Sequence, residues 1–160
     1  MIYKNRIKIN HDSFITIKNN LLLMKTLFGL LLFISICTSC AKEQNLIPDF
    51  PVNFNMPLTD PRLSRLSSAG GAVSFSGYGV AGIIIYRRAD NAYVAYDRCS
   101  TVNPDQKNAV EIDDPNLTAT DRISGAKYSL YDGSPVKAPA TTSLKRYSVT
   151  IAGNTLQVTN

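Results

Sequence analysis

The sequence predicts an all-β domain, a small antiparallel sandwich or barrel with one long irregular loop, and two observations carry that prediction. Short β-branched and aromatic runs recur through the second half of the chain: Ile83-Ile84-Ile85-Tyr86, Ala92-Tyr93-Val94-Ala95-Tyr96, Lys127-Tyr128-Ser129-Leu130-Tyr131 and Tyr147-Ser148-Val149-Thr150-Ile151. Turn signals separate them, with Ala89-Asp90-Asn91, Asp132-Gly133 and Ala152-Gly153-Asn154 standing where hairpins need left-handed or tightly bent residues. Strands this short, spaced this regularly, make antiparallel hairpins and not βαβ units.

Taken in order, residues 1–39 stand apart from that domain. Met24-Lys25-Thr26 opens a short positive region, an apolar run follows over 27–36, and Cys37-Thr38-Ser39-Cys40 closes it. A positive start, about ten apolar residues and small residues before a cleavage point make an export signal that is too short to span a bilayer. Because a cysteine follows the small residues, the site resembles a lipobox, with Cys40 as the lipidated first residue of the mature protein. Residues 1–23 read as an upstream extension, and Met24 as the better start.

Cleavage before Cys40 changes the charge. It removes Lys4, Arg6, Lys8, Lys18 and Lys25 together with Asp12, and takes the chain from 17 basic and 12 acidic side chains to 12 and 11, a net charge near +1. A nucleic-acid footprint needs a clustered positive field, so none is expected. Of the three cysteines, Cys37 leaves with the signal and Cys40 carries lipid, which leaves Cys99 without a disulfide partner.

Residues 40–71 read as an extended tether. Pro48, Pro51, Pro57 and Pro61 punctuate it, and proline denies helix and removes ladder donors. Room remains for one short edge strand at Val52-Asn53-Phe54 and one helical turn at residues 61–66. The β domain is expected over 72–160. In it Ala72-Val73-Ser74-Phe75 alternates, Ile83 to Tyr86 has the pattern of a strand buried on both faces, and Leu156-Gln157-Val158 closes the last hairpin. Residues 100–120, rich in Asn, Asp and Pro, read as the irregular loop.

Two segments carry more than fold. The first is Tyr96-Asp97-Arg98-Cys99-Ser100-Thr101. The second is Asp121-Arg122-Ile123-Ser124-Gly125-Ala126-Lys127-Tyr128, leading to Asp132-Gly133. With Ala138-Pro139-Ala140, Leu144, Tyr147 and the closing strand at 153–158, this order resembles the Rieske iron–sulfur domain over about residues 77–158. In that family loop one carries Cys-x-His and loop two carries Cys-x-x-His-Gly. The resemblance implies a Rieske-like (ISP-type) fold and a [2Fe–2S] cluster, with Cys99, Thr101, Asp121 and Ser124 at the four ligand positions. Only Cys99 matches. A Rieske centre takes two thiolates and two imidazoles, and the single His of the chain, His11, precedes the export signal. No cluster and no other metal is therefore expected.

These segments and the loop between them admit other chemistry. Arg98 beside Cys99 would favour a reactive thiolate, against a small apolar residue left from a ligand. Glu111, Asp113, Asp114 and Asp121 suggest a calcium site, against a solvated loop face. Hydrolytic triads lack their histidine base, and no catalytic residue is expected. The tyrosines in the strands read as core and cross-strand pairs. The expectation is an envelope lipoprotein, outer-membrane anchored, whose cluster-free domain is a binding or accessory module with an envelope protein as partner. The alternative is an oxidoreductase-associated [2Fe–2S] electron-transfer protein.

Overall fold

The computed structural model describes residues 24–25 and 47–160. The chain divides into two units, Met1–Glu43 and Gln44–Asn160. The export signal and Cys40 lie outside the described residues, among which no helix is long and apolar enough to cross a membrane.

Ten strands build the second unit: β1 (Asn53–Pro57), β2 (Ala72–Phe75), β3 (Ile83–Arg87), β4 (Tyr93–Asp97), β5 (Val110–Ile112), β6 (Thr118–Asp121), β7 (Lys127–Ser129), β8 (Pro135–Lys137), β9 (Arg146–Ala152) and β10 (Thr155–Thr159). They form a six-stranded sheet, ordered β1-β10-β9-β4-β3-β2, and a four-stranded sheet, β5-β6-β7-β8. Every paired neighbour is antiparallel. The fold is all-β, as the turn and strand signals predict.

β3 and β4 are buried on both faces because two separate cores use them. Ile83, Ile85 and Ala95 join Phe54, Met56, Leu63, Leu66, Tyr147, Leu156 and Val158 on one side. Ile84, Tyr86, Val94 and Tyr96 join Val110, Ala119, Tyr128, Leu130 and Leu144 on the other. Alternate residues of a strand point to opposite faces, so the continuous apolar run serves a layer on each side.

The tether expected over 40–71 is corrected over its second half. β1 pairs with β10 through five residues, from Asn53↔Thr159 to Pro57↔Thr155, and its Phe54 and Met56 are buried. A 3-10 helix follows at Pro61–Ser67, with Leu63 and Leu66 1% and 2% exposed. The prolines end elements here and do not prevent them. Pro57 closes an edge strand, and Pro61 opens the helix, where its missing N–H costs nothing. Asp60 caps that helix by accepting the Arg62 amide.

The segment ahead of β1 is clasped as well. Lys145, only 7% exposed, donates from Nζ to Asp49 Oδ1 at 2.7 Å and to the Pro48 carbonyl at 2.9 Å. Asn160 accepts the Val52 amide at 2.8 Å and donates to Asp49 Oδ1 and the Phe50 carbonyl.

The long irregular loop is the second correction. β5 lies within residues 100–120 and β6 begins there, and the two pair from Val110↔Asp121 to Ile112↔Ala119. Irregular backbone is confined to 98–109 and 113–117, the former holding a 3-10 turn at Pro104–Gln106 between left-handed Asn103 and Lys107. The hairpin is masked in sequence because its polar side chains satisfy one another. Asp113 Oδ2 accepts both the Thr118 and Thr120 hydroxyls at 2.7 Å.

Candidate functional site

β4 ends in Asp97, and this side chain sets the start of loop one. Asp97 is fully buried. Its Oδ1 accepts the amides of Cys99 at 2.7 Å and Ala81 at 3.2 Å, and its Oδ2 accepts the Val80 amide at 2.7 Å and the Tyr147 hydroxyl at 2.6 Å. Burial, with the hydrogen bond to Asp97 next, raises the Tyr147 hydroxyl far above its ordinary pKa, so it donates and stays neutral. Gly79 is required at this junction. Its φ is +59°, and a Cβ there would overlap both Asp97 Oδ2 and the Tyr147 hydroxyl.

The four ligand-like positions fall on two adjoining loops. Cys99 is fully buried, with Sγ 3.6 Å from the Ser100 carbonyl and 3.7 Å from the Pro104 carbonyl. Burial pushes its thiol up to about 11, with the Asp97 charge as a further cause. Arg98, the partner that would favour the thiolate, donates from Nε to the Val110 carbonyl at 3.2 Å. The sequence leads one to expect a half-buried residue here, and Cys99 is wholly buried.

Thr101 donates from Oγ1 to the Thr142 carbonyl at 2.8 Å, so that oxygen is free to accept the Tyr128 hydroxyl at 3.0 Å. The Tyr128 oxygen in turn accepts the Thr101 amide at 3.2 Å and lies 3.2 Å from Ser100 Oγ. Tyr128 sits on β7 and ties loop one to loop two. The sequence places Tyr128 in the core, where its ring is, and does not reveal the role of its hydroxyl. Its place in the aromatic strand after loop two was the available signal.

Asp121 and Ser124 close loop two on itself. The Ser124 hydroxyl donates to Asp121 Oδ2 at 2.6 Å, and Oδ1 accepts the Ile123 amide at 2.9 Å and the Ser124 amide at 3.4 Å. Burial of Asp121 works to raise its pKa and is outweighed by hydrogen bonds from Ser124, Ser100 and the Ile123 and Ser124 amides. The carboxyl is held below its ordinary range. The residues standing at the second Cys and second His positions are therefore each other's partners. Val110↔Asp121 and the bridge Cys99↔Ala109 join the two loops through backbone pairing.

The donor set does not fit a [2Fe–2S] cluster. It comprises one thiol, two hydroxyls and one carboxylate where two thiolates and two imidazoles are required. Among the described residues no three of His, Cys, Asp or Glu gather to hold a metal ion. The acidic run does not converge either. Glu111 pairs with Arg122 at 3.0 Å, Asp113 pairs with Lys127 at 3.2 Å, and Asp121 belongs to loop two.

No family model matches the chain, and no curated protein matches it. Solved structures do. The plasma-membrane Rieske protein of the cyanobacterium Synechocystis PCC 6803 superimposes with a TM-score of 0.51 at 18% identity, over 66% of this chain and 97% of that one. The ferredoxin of carbazole 1,9a-dioxygenase from Nocardioides aromaticivorans gives 0.46 at 15% identity, over 69% and 97%. A nitrite reductase small subunit from Mycobacterium tuberculosis gives 0.41 at 17%, over 70% and 97%. The first of these shows that the fold is of Rieske type.

Proposed function

We propose that this chain is an envelope lipoprotein, anchored through Cys40 in the outer membrane, whose Rieske-type domain works without a cluster as a binding module. One observation carries the reading: Thr101, Asp121 and Ser124, at three of the four ligand positions, are bonded to their own neighbours, and the fourth, Cys99, is buried with a raised thiol pKa. A tip held together in this way offers a fixed shape, and its exposed loops are the contact surface for an envelope protein. The domain carries out no reaction of its own. The lipid reading rests on the run from Met24 to Cys40 and the polar residues after it.

The test is iron content, visible spectrum and reduced EPR of the purified full chain, with incorporation of an alkyne-bearing fatty acid in cells. The expected result is no stoichiometric iron, no Rieske-type signal, and labelling that disappears in Cys40→Ala. Stoichiometric iron with a Rieske signal would replace the binding module by an electron carrier.

A further inference from the structure

The entry of the chain into β1 and the cluster-like tip lie at the same end of the large sheet. The register fixes this. Asn53, where β1 begins, pairs with Thr159, where β10 finishes, and Thr159 pairs with Ser148 near the start of β9. Arg146, the first residue of β9, pairs with Tyr96 at the end of β4, and Asp97 leads directly into loop one. The residues that fix the incoming chain, Asp49, Lys145 and Asn160, sit at that end too.

The reach of the chain is short. Six residues separate Cys40 from Ile47, and seven Cα steps of at most ~3.6 Å keep Ile47 within about 25 Å of a lipidated Cys40. The clasp then removes further slack, since residues 48–52 are bonded to the domain and cannot act as a flexible leash.

The surface at this end suits a lipid headgroup layer. Phe50 is 46% exposed beside the clasp, and Ile123 on loop two is 76% exposed. Arg146 is exposed and makes no ion pair among the described residues, whereas Lys145 is neutralised by Asp49. An aromatic side chain with a free cation is the pairing that anionic membrane surfaces attract. At the opposite end Tyr131 lies under Arg88, whose guanidinium is 4.3 Å from the ring centroid, and Ile151 is 43% exposed near the β9–β10 turn.

We propose that this end of the domain, carrying Phe50, Arg146 and the two loops, faces an anionic bilayer and rests at headgroup level. The inference builds on lipidation of Cys40 and deepens the binding reading: a protein that meets the tip must present its own surface at the plane of the membrane.

The experiment uses the full chain, lipidated in cells and reconstituted into phosphatidylcholine–phosphatidylglycerol vesicles that contain a headgroup-attached quencher. A fluorophore is placed at Phe50→Cys, Ile123→Cys, Tyr131→Cys or Ile151→Cys, one variant at a time, with Cys99 protected by its burial. Quenching at 50 and 123 is expected to exceed that at 131 and 151 several-fold, and Arg146→Glu is expected to reduce it at 50. Equal quenching at all four, or stronger quenching at 131 and 151, would overturn the orientation while leaving lipidation intact. Failure of the chain to take up the alkyne fatty acid would instead overturn the anchor and this inference together.

Discussion

The Tyr147 hydroxyl donates to Asp97 Oδ2 at 2.6 Å across 50 residues of sequence, and it does so with both groups buried. That bond joins β9 to the last residue of β4, and the same carboxylate holds the 79–81 turn through the Val80 and Ala81 amides. The shape of the tip is therefore set from beneath, by a carboxylate that lies outside all four ligand-like positions.

Tyr147→Phe keeps the ring and removes the donor. A hydrogen bond to a charged acceptor contributes about 1.5–3 kcal/mol, so urea unfolding of the variant should show a stability lower by that amount. Unchanged stability would mean that the three amides on Asp97 suffice alone.

Leu63→Ala tests the corrected domain boundary. Leu63 is 1% exposed among Phe54, Leu66 and Ile85, and emptying such a site costs about 2–5 kcal/mol. If the segment ahead of β2 were only a tether, thermal melts of the variant and the parent would coincide.

Acid should act through Asp121. Its folded-state pKa is depressed, so its contribution is present above an unfolded value of about 3.9 and is lost as pH falls through the lower folded value. Asp121→Asn keeps an acceptor and cannot titrate. Urea titrations at a series of pH values below about 4 should show the parent losing stability more steeply than the variant.

The Cys99 thiol, pushed up to about 11 by burial, should resist alkylation at neutral pH. Peptide mapping after iodoacetamide treatment should find it unmodified in the folded chain and fully modified in denaturant. Rapid labelling of the native protein would favour the alternative of a reactive thiolate beside Arg98.

Sequence reading reached the central strands because Ile83 to Tyr86 and Tyr93 to Tyr96 are apolar on both faces, a pattern that needs no context. The turns were legible from local chemistry, with Asn91, Gly133 and Gly153 all at positive φ. β1 is legible only as a short edge strand at residues 52–54, because its prolines read as breakers until β10 is there to pair with. β5 and β6 were hidden by Asp113, Thr118 and Thr120, whose polarity is satisfied within the hairpin. At the site, spacing located Cys99, Thr101, Asp121 and Ser124, but the bonds that occupy them do not follow from spacing. Tyr128 reaches Thr101 across 27 residues, with only its place after loop two to announce it, and Asp97 reaches Tyr147 across 50 with no local pattern at all.

The pairing of β1 with β10 has a mechanical consequence. The chain from the amino-terminal side enters β1 at Asn53, so tension directed along the strand axis would load the ladder from Asn53↔Thr159 to Pro57↔Thr155 together. A strand pulled sideways would unzip one rung at a time, whereas one pulled lengthwise must break its rungs in parallel. Ahead of that ladder, the Asp49 clasp to Lys145 and Asn160 has to yield first. A lengthwise pull from that side would thus meet a polar latch that gives way before the sheet does.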